Sequence, residues 1–167
     1  DSYGQDGSNY GIFGQRFDSA GTPVGGEFQV NTYTSSWQVA PAAAMGPSGD
    51  FVVVWNRARS TGGQASEIVG QRFDATGSPL GSEFSVSSSA PGYKWNPAVA
   101  VDASGSFVVT WGDPVQDGSS HGVFARRFDA DGSAVAEEFQ VNTYTPSAQF
   151  APAVAAGTGE TFVAVWI

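Results

Sequence analysis

With 167 residues the chain has room for a single domain with an interior of its own. Its 22 glycines, 9 prolines and 13% aromatic residues describe many short strands joined by tight turns and argue against long helices. Seven basic against 16 acidic side chains give a net charge of −9, which repels nucleic acid and anionic lipid, and no apolar run approaches the ~20 residues of a membrane span. Cysteine is absent, so neither a disulfide nor a thiolate metal site staples the fold.

In chain order, the sequence opens on Asp1, which reads as a processed or excised segment, and on a polar loop, QDGS. Two strand-like runs follow within residues 1–32, GIFGQRF and GEFQV, joined by the turn Asp18-Ser19-Ala20-Gly21. The small apolar run PAAAM then leads through a turn into FVVVW, which ends at Trp55. After a longer polar loop come GQRF, the turn Asp74-Ala75-Thr76-Gly77 and SEFSV. The pattern returns as PAVAV, the turn DASG, FVVTW, a second QDGS loop, GVFARRF, the turn Asp129-Ala130-Asp131-Gly132 and EEFQVN. The chain closes on PAVAA and FVAVW.

The register of this repetition is strict. Phe17, Phe73 and Phe128 are 56 and 55 residues apart, and Glu27, Glu83 and Glu138, Pro41, Pro97 and Pro152, and Trp55, Trp111 and Trp166 keep the same steps. The chain is one repeat domain over residues 1–167, in units 1–55, 56–111 and 112–167. Each Asp-x-x-Gly phrase fits a type I turn ended by a glycine at positive φ, with the Asp holding the turn backbone. A period of two places Arg16, Arg72 and Arg127 on one face of their strands, where each is expected to meet its own Glu27, Glu83 or Glu138 across the turn.

These runs predict an all-β fold of three four-stranded repeats, β-propeller-like, with the Ala-rich strand innermost because blades crowd near the axis. Residues 1–32 supply two outer strands, 41–88 and 97–142 whole blades, and 151–166 two inner strands. The chain thus begins and ends within a split blade, to be completed by the other terminus or by another chain. Unpaired edges favour such closure, and three blades do not close easily, so self-association as a homodimer or larger array is expected. The alternative is a threefold β-trefoil or prism-like fold.

Together, GQDGSNYGIFGQRFDSAG, EFQVNTYT and FVVVW resemble a repeat of large secreted bacterial proteins, including haemolysin-type calcium-binding and adhesin-like proteins. The resemblance implies an extracellular or cell-surface location and a structural or adhesive role, and it implies no catalytic residues. The second unit departs from it, with Gly63-Gln64-Ala65-Ser66 where the others have QDGS.

Two candidate sites follow from the residues. Asp1 and Asp6 in the first unit, and Asp113 and Asp117 in the third, could gather carboxylates and carbonyls around calcium, although the D-x-[DN]-x-[DN]-G spacing is missing; the competing reading is a capped turn. Trp37, Tyr93, Trp95 and Phe150 precede the inner-strand prolines, with Asn31 and Asn142 near them in sequence. They form either a glycan-binding surface of stacking aromatics and polar groups, or packing between blades. His121 is the single histidine and reads as a solvated loop residue. No nucleophile and base stand at a telling spacing, and the chain is read as a binding module, not an enzyme.

Overall fold

The computed structural model describes residues 4–59, 65–88, 92–118, 120–159 and 161–167. Among them the ordered elements are β1 (Phe13–Phe17), β2 (Pro23–Gln29), β3 (Gln38–Met45), β4 (Phe51–Ala58), β5 (Ser66–Phe73), β6 (Pro79–Ser85), β7 (Trp95–Val101), β8 (Phe107–Asp113), β9 (Gly122–Phe128), β10 (Phe139–Gln140), β11 (Ala153–Ala156) and β12 (Phe162–Val165). They form four antiparallel sheets, each in chain order: β1-β2, β3-β4-β5-β6, β7-β8-β9-β10 and β11-β12. Two complete four-stranded sheets therefore stand between an outer pair at one end and an inner pair at the other. The fold is all-β, as the periodicity predicts.

Local chemistry explains the hairpins. Gly21, Gly77 and Gly132 each donate a backbone bond to the Asp three residues earlier, and all three adopt positive φ. The FVVVW and FVVTW runs become β4 and β8, buried on both faces, because each is covered by a neighbouring sheet on either side. Val53 and Trp55 pack with Ile12, Val30, Val69 and Phe73 beneath the first hairpin. The opposite face of β4, Val52 and Val54, meets Phe107, Val109 and Trp111 of the next sheet. A third layer joins Val108 and Ala125 to Val154, Ala156 and Phe162 of the last hairpin. The core is thus three inter-sheet layers in a row, with β3 beside β7 and β7 beside β11.

The third unit shows how small substitutions shorten a strand. Gly14 and Gly70 leave room for the rings of Phe28 and Phe84, which lie where a Cβ would come within 2.8 and 2.6 Å. Gly25 and Gly81, at positive φ, occupy corresponding places in the irregular β1–β2 and β5–β6 registers. In the third unit Ala125 and Ala136 stand at these positions, β10 contracts to two residues and Phe139 is exposed.

Of the two completions expected for the split blade, the one by the other terminus does not occur within the chain. Among the described residues β1 pairs with β2 alone and β12 with β11 alone. The successive face-to-face layers leave the two hairpins at opposite ends of the row.

Gly70→Ala should push the Phe84 ring off Phe107 and Phe128, which lie 6.0 and 5.4 Å from it. Urea unfolding is expected to show a loss of ~1–3 kcal/mol, typical of overpacking, whereas an unchanged midpoint would mean that the ring does not depend on this glycine.

Candidate functional site

The polar loops and the ends of the inner strands lie at the same end of the sheets, and here the structure locates the candidate residues. Asp6 accepts the Ser8 N–H at 3.1 Å and the Asn31 amide at 3.2 Å. Asp117 accepts the Ser120 N–H at 3.0 Å. Asp113 is fully buried and forms an ion pair of 2.8 Å with the equally buried Lys94, while its other oxygen accepts the N–H groups of Val115 and Gln116. Asp1 lies outside the described residues, as do Gly63 and Gln64 of the divergent loop. Among the described residues no three His, Asp or Glu side chains converge as a metal cluster.

Asn31 and Asn142 are buried and hold backbone. Asn31 accepts the Ile12 N–H at 2.6 Å and donates to the Tyr33 carbonyl; Asn142 accepts the Val123 N–H at 2.8 Å and donates to the Tyr144 carbonyl. Ser87 takes the same place in the second unit, accepting the Ile68 N–H at 2.9 Å. Each ties the end of an outer strand to the start of its neighbour, satisfying a buried donor.

The aromatics form a ladder. Tyr93 stacks on Trp95, the Trp95 ring centre is 4.8 Å from that of His121, and His121 is 5.2 Å from Phe150. Trp95 lies against the backbone of Gly112, where no Cβ intervenes. Trp37 makes an edge contact with Tyr10 instead, and both it and Phe150 are about 40% exposed (39% and 43%). His121 is the residue that sequence reasoning missed. Its signal was positional, because it occupies the place of Tyr10 in its unit and so carries a ring to the same spot. Ser120 hydrogen-bonds its Nδ1 at 2.8 Å.

Arg16 and Arg72 do not pair with Glu27 and Glu83 of their own hairpins as expected. Arg16 reaches the Ala75 carbonyl at 2.7 Å, and Arg72 donates to the Asp131 carbonyl, each in the turn of the following sheet. Glu83 accepts from the N–H and hydroxyl of Thr32 and the N–H of Tyr33, and pairs with Arg57 at 2.9 Å. Glu138 accepts the Ser88 N–H and hydroxyl, each at 2.7 Å, and the Gln116 amide. The register supplies the reason: Arg16 lies opposite Val24 and Arg72 opposite Leu80, so each own glutamate is three residues further along the partner strand. Glu83 and Glu138 thus bind back to the preceding unit, and Arg16 and Arg72 forward to the next.

The turn aspartates carry the clearest electrostatic signature. Asp18 is held below the ordinary carboxylate range chiefly by the Thr22 N–H, and Asp74 chiefly by the Thr76 hydroxyl and then the Ser78 N–H. The Ser104 hydroxyl lowers Asp102, and the Ser133 N–H lowers Asp131.

No protein-family model matches the chain, and no curated protein matches it in sequence. Among solved structures, it is similar to the endo-arabinase from Bacteroides thetaiotaomicron, at 14% identity and a TM-score of 0.51. The similarity covers 77% of this chain and 50% of that one, so the chain spans about half of that protein's length, and the likeness is one of fold.

Two measurements probe these groups. Lys94→Met should cost ~3–5 kcal/mol by leaving the buried Asp113 charge uncompensated, and adding Asp113→Asn should recover most of that loss; a purely additive cycle would deny the coupling. Because the folded turn aspartates bind protons less readily than the unfolded chain, their stabilisation is full above about pH 4 and disappears as pH falls below it. The melting temperature should therefore drop on that acid limb, less steeply in an Asp18→Asn/Asp74→Asn variant, and equal slopes would contradict the assignment.

Proposed function

We propose that the chain is a propeller-like structural repeat module of a secreted or cell-surface protein, acting in assembly and adhesion rather than in catalysis. The observation that carries this reading is where the recurring polar side chains are spent: Glu83, Glu138, Arg16 and Arg72 all bind across a junction between units. A motif that repeats to hold its neighbour belongs to a surface built by extension. The meandering four-stranded sheets and neighbouring inner strands β3, β7 and β11 favour blades over the trefoil-like arrangement.

A second reading, glycan binding, is favoured by the Tyr93–Trp95–His121–Phe150 ladder, which presents partly exposed rings beside the QDGS loop. One solved structure of similar fold is that of an endo-arabinase, which makes polysaccharides natural ligands to try. Calcium belongs to neither reading by necessity, since Asp113 is neutralised by Lys94.

Sedimentation across a wide concentration range tests the first reading: mass should grow from one chain toward two or more, equally in chelator and in calcium. A monomer throughout would overturn it, and growth only in calcium would place the ion in the assembly. Retardation on polysaccharide gels, lost in Trp95→Ala, would instead support the glycan reading.

A further inference from the structure

The two ends of the row of sheets are complementary in the same way as its internal junctions. At the N-terminal end β1 has a strand on one side only, and beside it runs an apolar groove of about 430 Å³ lined by Phe13, Phe28, Ala42, Ala44, Phe51 and Val53. A second hollow of about 400 Å³ continues along the same strand past Gln5, Glu27 and Gln38. An inner hairpin is what this end lacks: sheets β3–β6 and β7–β10 each have one at the corresponding place.

At the C-terminal end stands an inner hairpin without its outer pair. Val163 and Val165 of β12 are 59% and 58% exposed, although their equivalents Val52 and Val54 are buried against Phe107 and Val109 of the following sheet. Phe51 and Val53, in the groove at the other end, are the unit-equivalents of Phe107 and Val109. The exposed apolar face at one end thus has its established counterpart in the groove at the other.

The glutamates give a second, polar match. Glu83 and Glu138 are partly buried because each grips the segment after the preceding unit's outer strand, Thr32-Tyr33 or Ser88. Glu27, at the same position, is exposed and is bonded to Gln5. The segment equivalent to Thr32-Tyr33 in the last unit is Thr143-Tyr144, and it too is exposed.

We propose that the C-terminal hairpin of one copy completes the N-terminal half-sheet of a second copy, with β12 adding antiparallel to β1 and Glu27 of the second copy gripping Thr143-Tyr144 of the first. This rests on the structural-module reading above and names its partner as the same chain. The internal sheets dictate the register. Phe51↔Phe73 and Val52↔Arg72, repeated as Phe107↔Phe128 and Val108↔Arg127, become Phe162↔Phe17 and Val163↔Arg16. The contact is head-to-tail, so two copies joined at both ends close as a six-sheet ring, and copies that miss closure form an array. Since the chains share a charge of −9, added salt should strengthen the association by screening their repulsion.

The chain has no cysteine, so introduced cysteines report one contact at a time. A mixture of Val163→Cys and Arg16→Cys chains, mildly oxidised, is expected to yield a covalent dimer of the two, because directly opposed residues fall within disulfide range. Val165→Cys mixed with Arg16→Cys, a two-residue slip, should not, each single variant oxidised alone serving as the baseline. Val163→Asp/Val165→Asp should abolish association while leaving the melting of the dilute chain unchanged, since both side chains are exposed there. Glu27→Ala should weaken it by about tenfold or more, as loss of charge-assisted hydrogen bonds implies. A link formed inside a single chain carrying both cysteines overturns the second copy as occupant, and a slipped link overturns the register. Association without the Val163–Arg16 link sinks this inference and leaves the structural-module reading standing, whereas a chain that stays monomeric at every concentration sinks both.

Discussion

A β-sheet whose strands are apolar on both faces cannot stand alone in water, and this constraint organises the whole chain. Strand β4 has Val52 and Val54 on one face and Val53 and Trp55 on the other, and all four are buried. Burial of that kind requires a sheet on each side, which the repeat supplies by placing a like unit before and after. Every junction then faces the same task, to bring two apolar faces together in one register. The chain meets it with the same glutamate gripping backward and, from the first two units, the same arginine reaching forward.

This accounting changes the meaning of the recurring polar residues. A cross-strand Arg–Glu pair inside a hairpin would stabilise that hairpin only. A carboxylate that accepts two backbone N–H groups and a hydroxyl from another unit, as Glu83 does, fixes how one sheet sits on the next. The buried Lys94–Asp113 pair acts within one sheet instead, joining the segment before β7 to the end of the neighbouring β8. Replacement of either partner alone is the costly change, since the remaining charge would have no solvent.

The loops are where the units diverge. Ala125 and Ala136 alter the third outer hairpin, and Trp95, His121 and Phe150 assemble a ring ladder, whereas among the described residues Trp37 meets Tyr10 in an edge contact. The junctions stay uniform while the loop ends vary, because loop side chains can change without touching the inter-sheet layers.

The strands, their order in each hairpin, the Asp-x-x-Gly turns and the half-sheets at the two ends were all legible in the sequence, because period-two alternation and a 55- to 56-residue repeat are local signals. Asn31 and Asn142 stood out as polar residues near aromatics, yet only the folded chain reveals that their side chains hold the Ile12 and Val123 N–H groups. The partners of Arg16, Arg72, Glu83 and Glu138, the Lys94–Asp113 pair and the stacking of His121 between Trp95 and Phe150 were likewise decided by tertiary structure. These contacts join residues dozens of positions apart or depend on how one strand's register offsets another, and no spacing along the chain encodes the angle at which one sheet meets the next.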